Sequence, residues 1–238
     1  LDNKISFIGP SPDAIYKMGN KTIARKIALA HNIPVAMGSE GNISNEEEAI
    51  AVAEKIGYPV IIKAASGGGG RGMRIVRKSE EMEKLFVIAS KEAEKAFKDP
   101  SVFIEKYIEN PKHIEFQILG DKKGNVIHLG ERECSIQRKH QKLLEEAPSG
   151  ALDDRLREIM GSTAVRIAKA VGYYSAGTVE FLLDSEKNFY FMEMNTRIQV
   201  EHPVTEVITG IDLIEQQIRI AKGEELKIRQ EDIKLSGW

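Results

Sequence analysis

Apolar and polar residues alternate with two different periods along this chain, and the switches between them mark out strands and helices. PVIIKAA, MRIVRK and SVFIEKYIE carry the β-branched or every-second-residue pattern of strands. HIEFQILGDKKGNVIHLGERE alternates on both sides of a DKKGN turn and predicts a hairpin, and TVEFLLDSEKNFYFME predicts another. The opening KISFIGP predicts a short strand stopped by Gly9-Pro10. Helices are predicted over SPDAIYKMGN and from Lys21 to Ala30. A third has a capping-box signature, Ser44 with Glu47, and runs to Gly57. Ser79 opens a helix to about Lys98, Asp153 one that ends at Gly172, and Asp212 with Glu215 a last one ending at Gly223. CSIQRKHQKLLEEAPSG follows neither period and predicts a loop.

The richest polar pattern lies in FMEMNTRIQVEHPVTE. From Met192 to Glu201 every second residue is strongly polar: Glu193, Asn195, Arg197, Gln199 and Glu201. That is the pattern of an extended chain with one buried face. The order could hold a cation at one end and an oxyanion at the other. If Asp184 pairs with Phe189 across a four-residue loop, Glu180 falls opposite Glu193. Opposed carboxylates have Cβ atoms ~5 Å apart and repel unless something neutralises them. Mg²⁺ would do so, with Asn195 offering a carbonyl oxygen on the same face. Lysine or arginine partners on an exposed strand pair would do so equally well.

A glycine loop, Gly67 to Gly72, joins two hydrophobic strands, with Lys63 leading in. Gly67, Gly69 and Gly72 satisfy G-x-G-x-x-G, but a strand follows where a dinucleotide-binding unit needs a helix, and no Walker Gly-Lys-Ser/Thr ending is present. A flap whose N–H groups fold over phosphates remains, beside the alternative of a mobile linker. Lys21 at a helix junction reads as a solvated charge when taken alone. Arg138, Lys139, His140 and Lys142, next to Gln137, suit either a solvated loop or one feeding a phosphate site.

Composition narrows the choice. The formal net charge of −2 with mixed signs argues against a nucleic-acid partner. No apolar run reaches the ~18 residues of a membrane span. The single cysteine, Cys134, excludes an internal disulfide framework and suits a reducing, cytoplasmic setting. No histidine pair has zinc-ligand spacing with cysteine support, and His31 and His128 read as structural. The first residue is Leu, and the chain reads as a cut from a longer protein.

Taken together, KAASGGGGRGM, EKYIENPKHIEFQ, ERECSIQRKHQKLLEEAP and FMEMNTRIQVEHPVTE resemble the signatures of the biotin carboxylase ATP-grasp domain, over nearly the whole chain. The resemblance implies an α+β ATP-grasp fold. Residues 1–39 would lead in, 40–107 would form a small glycine-flap lid, and 108–238 would form a larger antiparallel-sheet subdomain. It further implies that Lys21, Lys63 and the lid glycines Gly67, Gly68, Gly69, Gly70 and Gly72 contact ATP phosphates. Glu105, Lys106, Ile108 and His113 would line the adenine and ribose pocket, with Gln137 nearby and His140 reaching a phosphate. Glu180, Glu193 and Asn195 would hold Mg²⁺ or Mn²⁺. Arg197, Gln199 and the Val200 N–H would grip bicarbonate, with Lys142 close by and Glu201 as its base. The implied partners are ATP, bicarbonate, biotin on a carboxyl carrier protein or domain, and a carboxyltransferase component. The family's flanking N- and C-terminal regions, the latter carrying an arginine of the biotin site, have no counterpart in the sequence. Another ATP-grasp ligase, such as a carbamoyl-phosphate synthetase half, would share the flap and carboxylates. A non-catalytic ATP-binding module would not need the intact set of charges.

Overall fold

The computed structural model describes residues 5–66, 72–139 and 141–237. Two antiparallel sheets organise it. The smaller has the order β2-β1-β3, with β1 (Val60–Ala64) between β2 (Arg74–Val76) and β3 (Val102–Lys106). Alternation gives this sheet two unlike faces. Val60, Ile62, Ala64 and Ile104 pack with Ala49 and Ala53 of α3 (Glu46–Ile56) and with Phe86, Ala89 and Ala93 of α4 (Met82–Phe97). Ile61, Lys63, Phe103 and Glu105 point the other way, into a cleft.

The larger sheet has the order β6-β5-β4-β7-β8, from β4 (Lys112–Gly120), β5 (Val126–Arg138), β6 (Gln141–Glu146), β7 (Ser175–Leu183) and β8 (Phe189–Asn195). Ile114, Phe116, Val179, Phe181 and Met194 form one face, covered by α1 (Pro12–Gly19), α2 (Lys21–Ala30) and α5 (Asp154–Ala170). Leu119, Leu129 and Ala176 on the other face meet Leu213 and Ile220 of α7 (Leu213–Ala221). Burying side chains of this size contributes roughly 1.5–3 kcal/mol each, so both faces are anchored at this end. The rest of the second face, toward α6 (His202–Thr209), is polar.

Both predicted hairpins form, the second in a register one residue from the expected one, and most helix ends fall where expected. Asp153 accepts from Leu156 N and Asp212 from Glu215 N, while Gly57, Gly172 and Gly223 have φ of +84°, +60° and +90°. Five expectations need correction. KISFIGP forms no strand within its described residues; Ile5, Phe7 and Ile8 are exposed, with no neighbouring strand among the described residues to pair with. The α3 cap is Asn45, one residue later than predicted; its side chain accepts from Glu48 N, while the Glu48 carboxylate accepts from Ser44 N and so does not close a reciprocal box. Ser79 starts a 3₁₀ turn, Ser79–Glu81, and makes no cap bond. Glu215 bonds Arg219 rather than completing its box. CSIQRKHQKLLEEAPSG is no loop: β5 continues to Arg138 and β6 returns beside it. β6 is an edge strand with little of either face buried, and register shifts interrupt its pairing, so no period marked it.

Candidate active site

Four charged residues line up across four strands of the larger sheet. Arg132 of β5 pairs with Glu115 of β4, Glu115 with Glu180 of β7, and Glu180 with Glu193 of β8. Directly paired residues share a face, so three carboxylates and a guanidinium lie in one row. The Glu180–Glu193 pairing forms by another route than the predicted one. Leu183, not Asp184, pairs with Phe189, and Asp184 closes a longer turn by donating from its N–H to Asn188 O. That register would miss by one residue. The pairing jumps from Phe181↔Phe191 to Glu180↔Glu193, so Met192 is the extra residue of a bulge and the match is restored. The alternating chain also ends sooner than expected. β8 stops at Asn195, and Glu201 is the residue before α6.

Lys142 of β6 organises the row. Its ammonium donates to Glu180 at 2.8 Å, to Glu201 at 2.6 Å, and to Glu115. Glu180 also accepts from Asn195 Nδ2 at 2.8 Å and Gln199 Nε2 at 3.3 Å, and His113 Nε2 lies 3.1 Å from its second oxygen without hydrogen-bond alignment. Burial works against ionisation at Glu180 and Glu201, but His113 and then Lys142 more than offset it at Glu180, and Lys142 does so at Glu201; both carboxyls titrate below the usual range. Burial likewise works against the Lys142 charge, and Glu180 with Glu115 holds its pKa above the usual lysine range. Removing either side would leave a buried charge unpaired.

Lys21 and Lys63 are also paired. Lys21 bonds Glu193, and Lys63 donates to Glu105 at 2.6 Å, whose other oxygen accepts from Arg25 at 2.7 Å. All these groups face a single cleft of about 1110 Å³ between the two sheets. Its small-sheet wall carries Lys63, Glu105 and Lys106, although the Lys106 ammonium turns to the carbonyls of Gly57 and Tyr58 at the end of α3. Ile108, His113 and Gln137 stand along one side, with Gln137 Nε2 held by Cys134 O at 2.8 Å. The floor is Lys142, Glu180, Glu193 and Asn195, and a turn brings in Arg197, Gln199, Val200 and Glu201. Gly72 packs near Ala64 and Ala93 and is not itself among the residues lining the cleft. Gly67, Gly68, Gly69, Gly70 and His140 lie outside the described residues.

Residues 20–229 match the family described as carbamoyl-phosphate synthase L chain, ATP binding domain. The chain is 59% identical over 236 residues to a biotin carboxylase of Nostoc sp., covering 99% of this chain and 53% of the relative. The chain belongs to the biotin carboxylase ATP-grasp family. A Campylobacter jejuni biotin carboxylase in complex with β-γ-ATP superimposes with a TM-score of 0.97 at 52% identity, over 99% of this chain and 53% of that one. A Hydrogenobacter thermophilus 2-oxoglutarate carboxylase biotin carboxylase domain, in complex with MgADP, ADP and bicarbonate, gives 0.96 at 56% identity, over 99% and 52%. The chain thus spans about half the length of the relatives it matches. Relatives of this similarity are carboxylases, which disfavours the synthetase alternative.

The biotin carboxylase cleft offers hard oxygen donors of the kind a divalent cation takes. Glu180 and Glu193 oppose each other with Asn195 on the same side, the donor type that suits Mg²⁺. Among the described residues His113, Glu115 and Glu180 converge within 4.8 Å, and so do Glu115, Cys134 and Glu201. The second set fits such a cation poorly, because burial pushes the Cys134 thiol far above its usual range and Arg132 already holds Glu115. Arg25, Glu115 and Arg132 escaped the sequence reading. A signal existed for two of them: Glu115 and Arg132 sit inside long apolar strands, where a solvated face is not available.

Proposed function

We propose that this chain is the nucleotide- and bicarbonate-handling part of a biotin carboxylase, residues 40–107 acting as the lid and 108–238 as the central subdomain. In this reading ATP lies in the cleft with its phosphates toward Lys21, Lys63 and glycines 67–70. Ile108 and His113 would flank the nucleoside. Glu180, Glu193 and Asn195 would hold Mg²⁺ or Mn²⁺, which neutralises charge on the transferring phosphoryl group. Bicarbonate would bind at the turn by a bidentate fork from Arg197 together with Gln199 and the Val200 N–H.

Glu201 is ionised through the neutral pH range and so can accept the bicarbonate proton. Its pairing with Lys142 makes it a weak base at rest. An anion arriving beside Lys142 would take a share of that ammonium and raise the proton affinity of Glu201 where it is needed. The product would be carboxyphosphate, whose breakdown supplies CO₂ to biotin on a carrier protein or domain. A carboxyltransferase component would follow. A water-excluding lid preserves such an intermediate. A single, buried thiol suits cytoplasmic conditions.

The observation that carries the reading is the single cleft in which paired lysines and carboxylates meet the Arg197–Glu201 turn. The test is ATP cleavage by the chain joined to the flanking regions of a biotin carboxylase relative. Cleavage that requires bicarbonate and carboxylates biotin is expected. Cleavage indifferent to bicarbonate would overturn it.

A further inference from the structure

Arg132 is completely buried and does not line the cleft, yet all three guanidinium nitrogens are used. Nε donates to Glu115 at 2.6 Å, Nη1 to Gln117 at 2.9 Å and to Thr205 at 2.8 Å, and Nη2 to Thr178 at 3.3 Å. These partners come from β4, β7 and α6. Thr205 lies one turn into α6, whose preceding residue is Glu201. The second Glu115 oxygen bonds Lys142, which in turn holds Glu201 and Glu180.

Arg132 therefore reaches Glu201 twice: through Glu115 and Lys142, and through the helix that starts just after it. A lysine could keep the charge but not the geometry, because only a planar fork spans four acceptors on three elements. The charge is needed because Glu115, Glu180 and Glu201 converge on the one ammonium of Lys142. We infer that Arg132 is a positioning residue for the bicarbonate step, fixing Lys142 and Glu201 relative to each other from the buried end of the charged row while leaving nucleotide binding alone. This deepens the proposed function and rests on it for the identity of the substrate.

The test uses Arg132→Met, Arg132→Lys and Thr205→Val in the full-length carboxylase. Nucleotide titration, steady-state kinetics in bicarbonate and ¹⁵N-lysine spectra are recorded for each. In Arg132→Met, kcat/KM for bicarbonate is expected to fall about 10²-fold, the loss produced by an ångström-scale misplacement, with MgADP affinity unchanged. Arg132→Lys should recover part of that loss. Thr205→Val, which frees only the helix, should lower bicarbonate turnover less and also spare the nucleotide. The Lys142 ammonium resonance, held in the parent by Glu115, Glu180 and Glu201, should broaden in Arg132→Met. This last readout does not depend on which anion is the substrate, so failure of the positioning claim is separable from failure of the functional one. An unchanged Lys142 resonance with unchanged bicarbonate kinetics would overturn the inference, as would equal loss of nucleotide binding and turnover in a folded variant. If Arg132→Met does not fold, parent-like bicarbonate kinetics in both other variants would overturn it.

Discussion

Glu193 and Glu201 stand on the same short stretch and answer to different lysines, Lys21 and Lys142. Their substitutions should therefore separate. Glu193→Gln is expected to weaken productive Mg-ATP use with or without bicarbonate, because it removes a metal-type donor. Glu201→Gln should leave nucleotide binding intact while bicarbonate-dependent turnover falls ~10²- to 10⁴-fold, as for a lost general base. Nucleotide titration and steady-state ATPase assays of both variants check this, and equal loss of ATP binding would show the roles misassigned. His128 makes a different kind of prediction. Burial pushes its imidazole down to about 4, so the unfolded chain, with an ordinary histidine near 6.5, binds the proton more readily. Its contribution is complete above the unfolded value and is lost as pH falls from there toward the folded one. Between pH 7 and pH 5 the loss should approach about 2 kcal/mol, a window above the carboxylate range. Urea unfolding at both pH values should show it in the parent and not in His128→Gln.

At the level of elements, β5 and α5 meet so closely that a Cβ at Gly161 would come 2.4 Å from His128 Nε2. The His128 ring is also held edge-on to Phe116 at 5.5 Å. Gly161→Ala is therefore expected to destabilise by about 1–3 kcal/mol through overpacking, with nucleotide affinity unaltered. Thermal or urea unfolding checks the first and titration the second. The strands and helices were legible because their periods reflect burial: Val60 to Ala64 and the 112–120 strand face packed helices. β6 was not, since an edge strand with little burial leaves no periodic trace. The opposition of Glu180 and Glu193 was read correctly from a register one residue wrong, because neither turn length nor bulge has its own signature in FLLDSEKNFYFMEM. Polar candidates in the cleft could be read from their order in FMEMNTRIQVEHPVTE. Arg25 could not, since its partner Glu105 lies 80 residues away, and Arg132 showed only as a charge inside an apolar strand, with nothing to name its partner 17 residues off.

For the whole molecule, the cleft between a three-stranded and a five-stranded sheet is the arrangement that a lid over a nucleotide requires. Adding Mg-ATP is expected to slow amide exchange along β1 and β2, and hydrogen-exchange mass spectrometry would register it; unchanged exchange there would count against a lid. Because the relatives are about twice as long, the isolated chain is expected to bind Mg-ATP weakly without carboxylating free biotin. Biotin carboxylation at a rate like that of a full-length relative would contradict this.

Lys21 touches both sheets at once. Its backbone N–H donates to Ala65 O just past the end of β1 in the small sheet, and its ammonium bonds Glu193 in the large one. The spacing of the two sheets and the charge at Glu193 are consequently one mechanical coordinate rather than two. A cation that displaces the ammonium would loosen a strut between the sheets, so a fluorescent pair spanning the cleft should respond to metal before any nucleotide arrives.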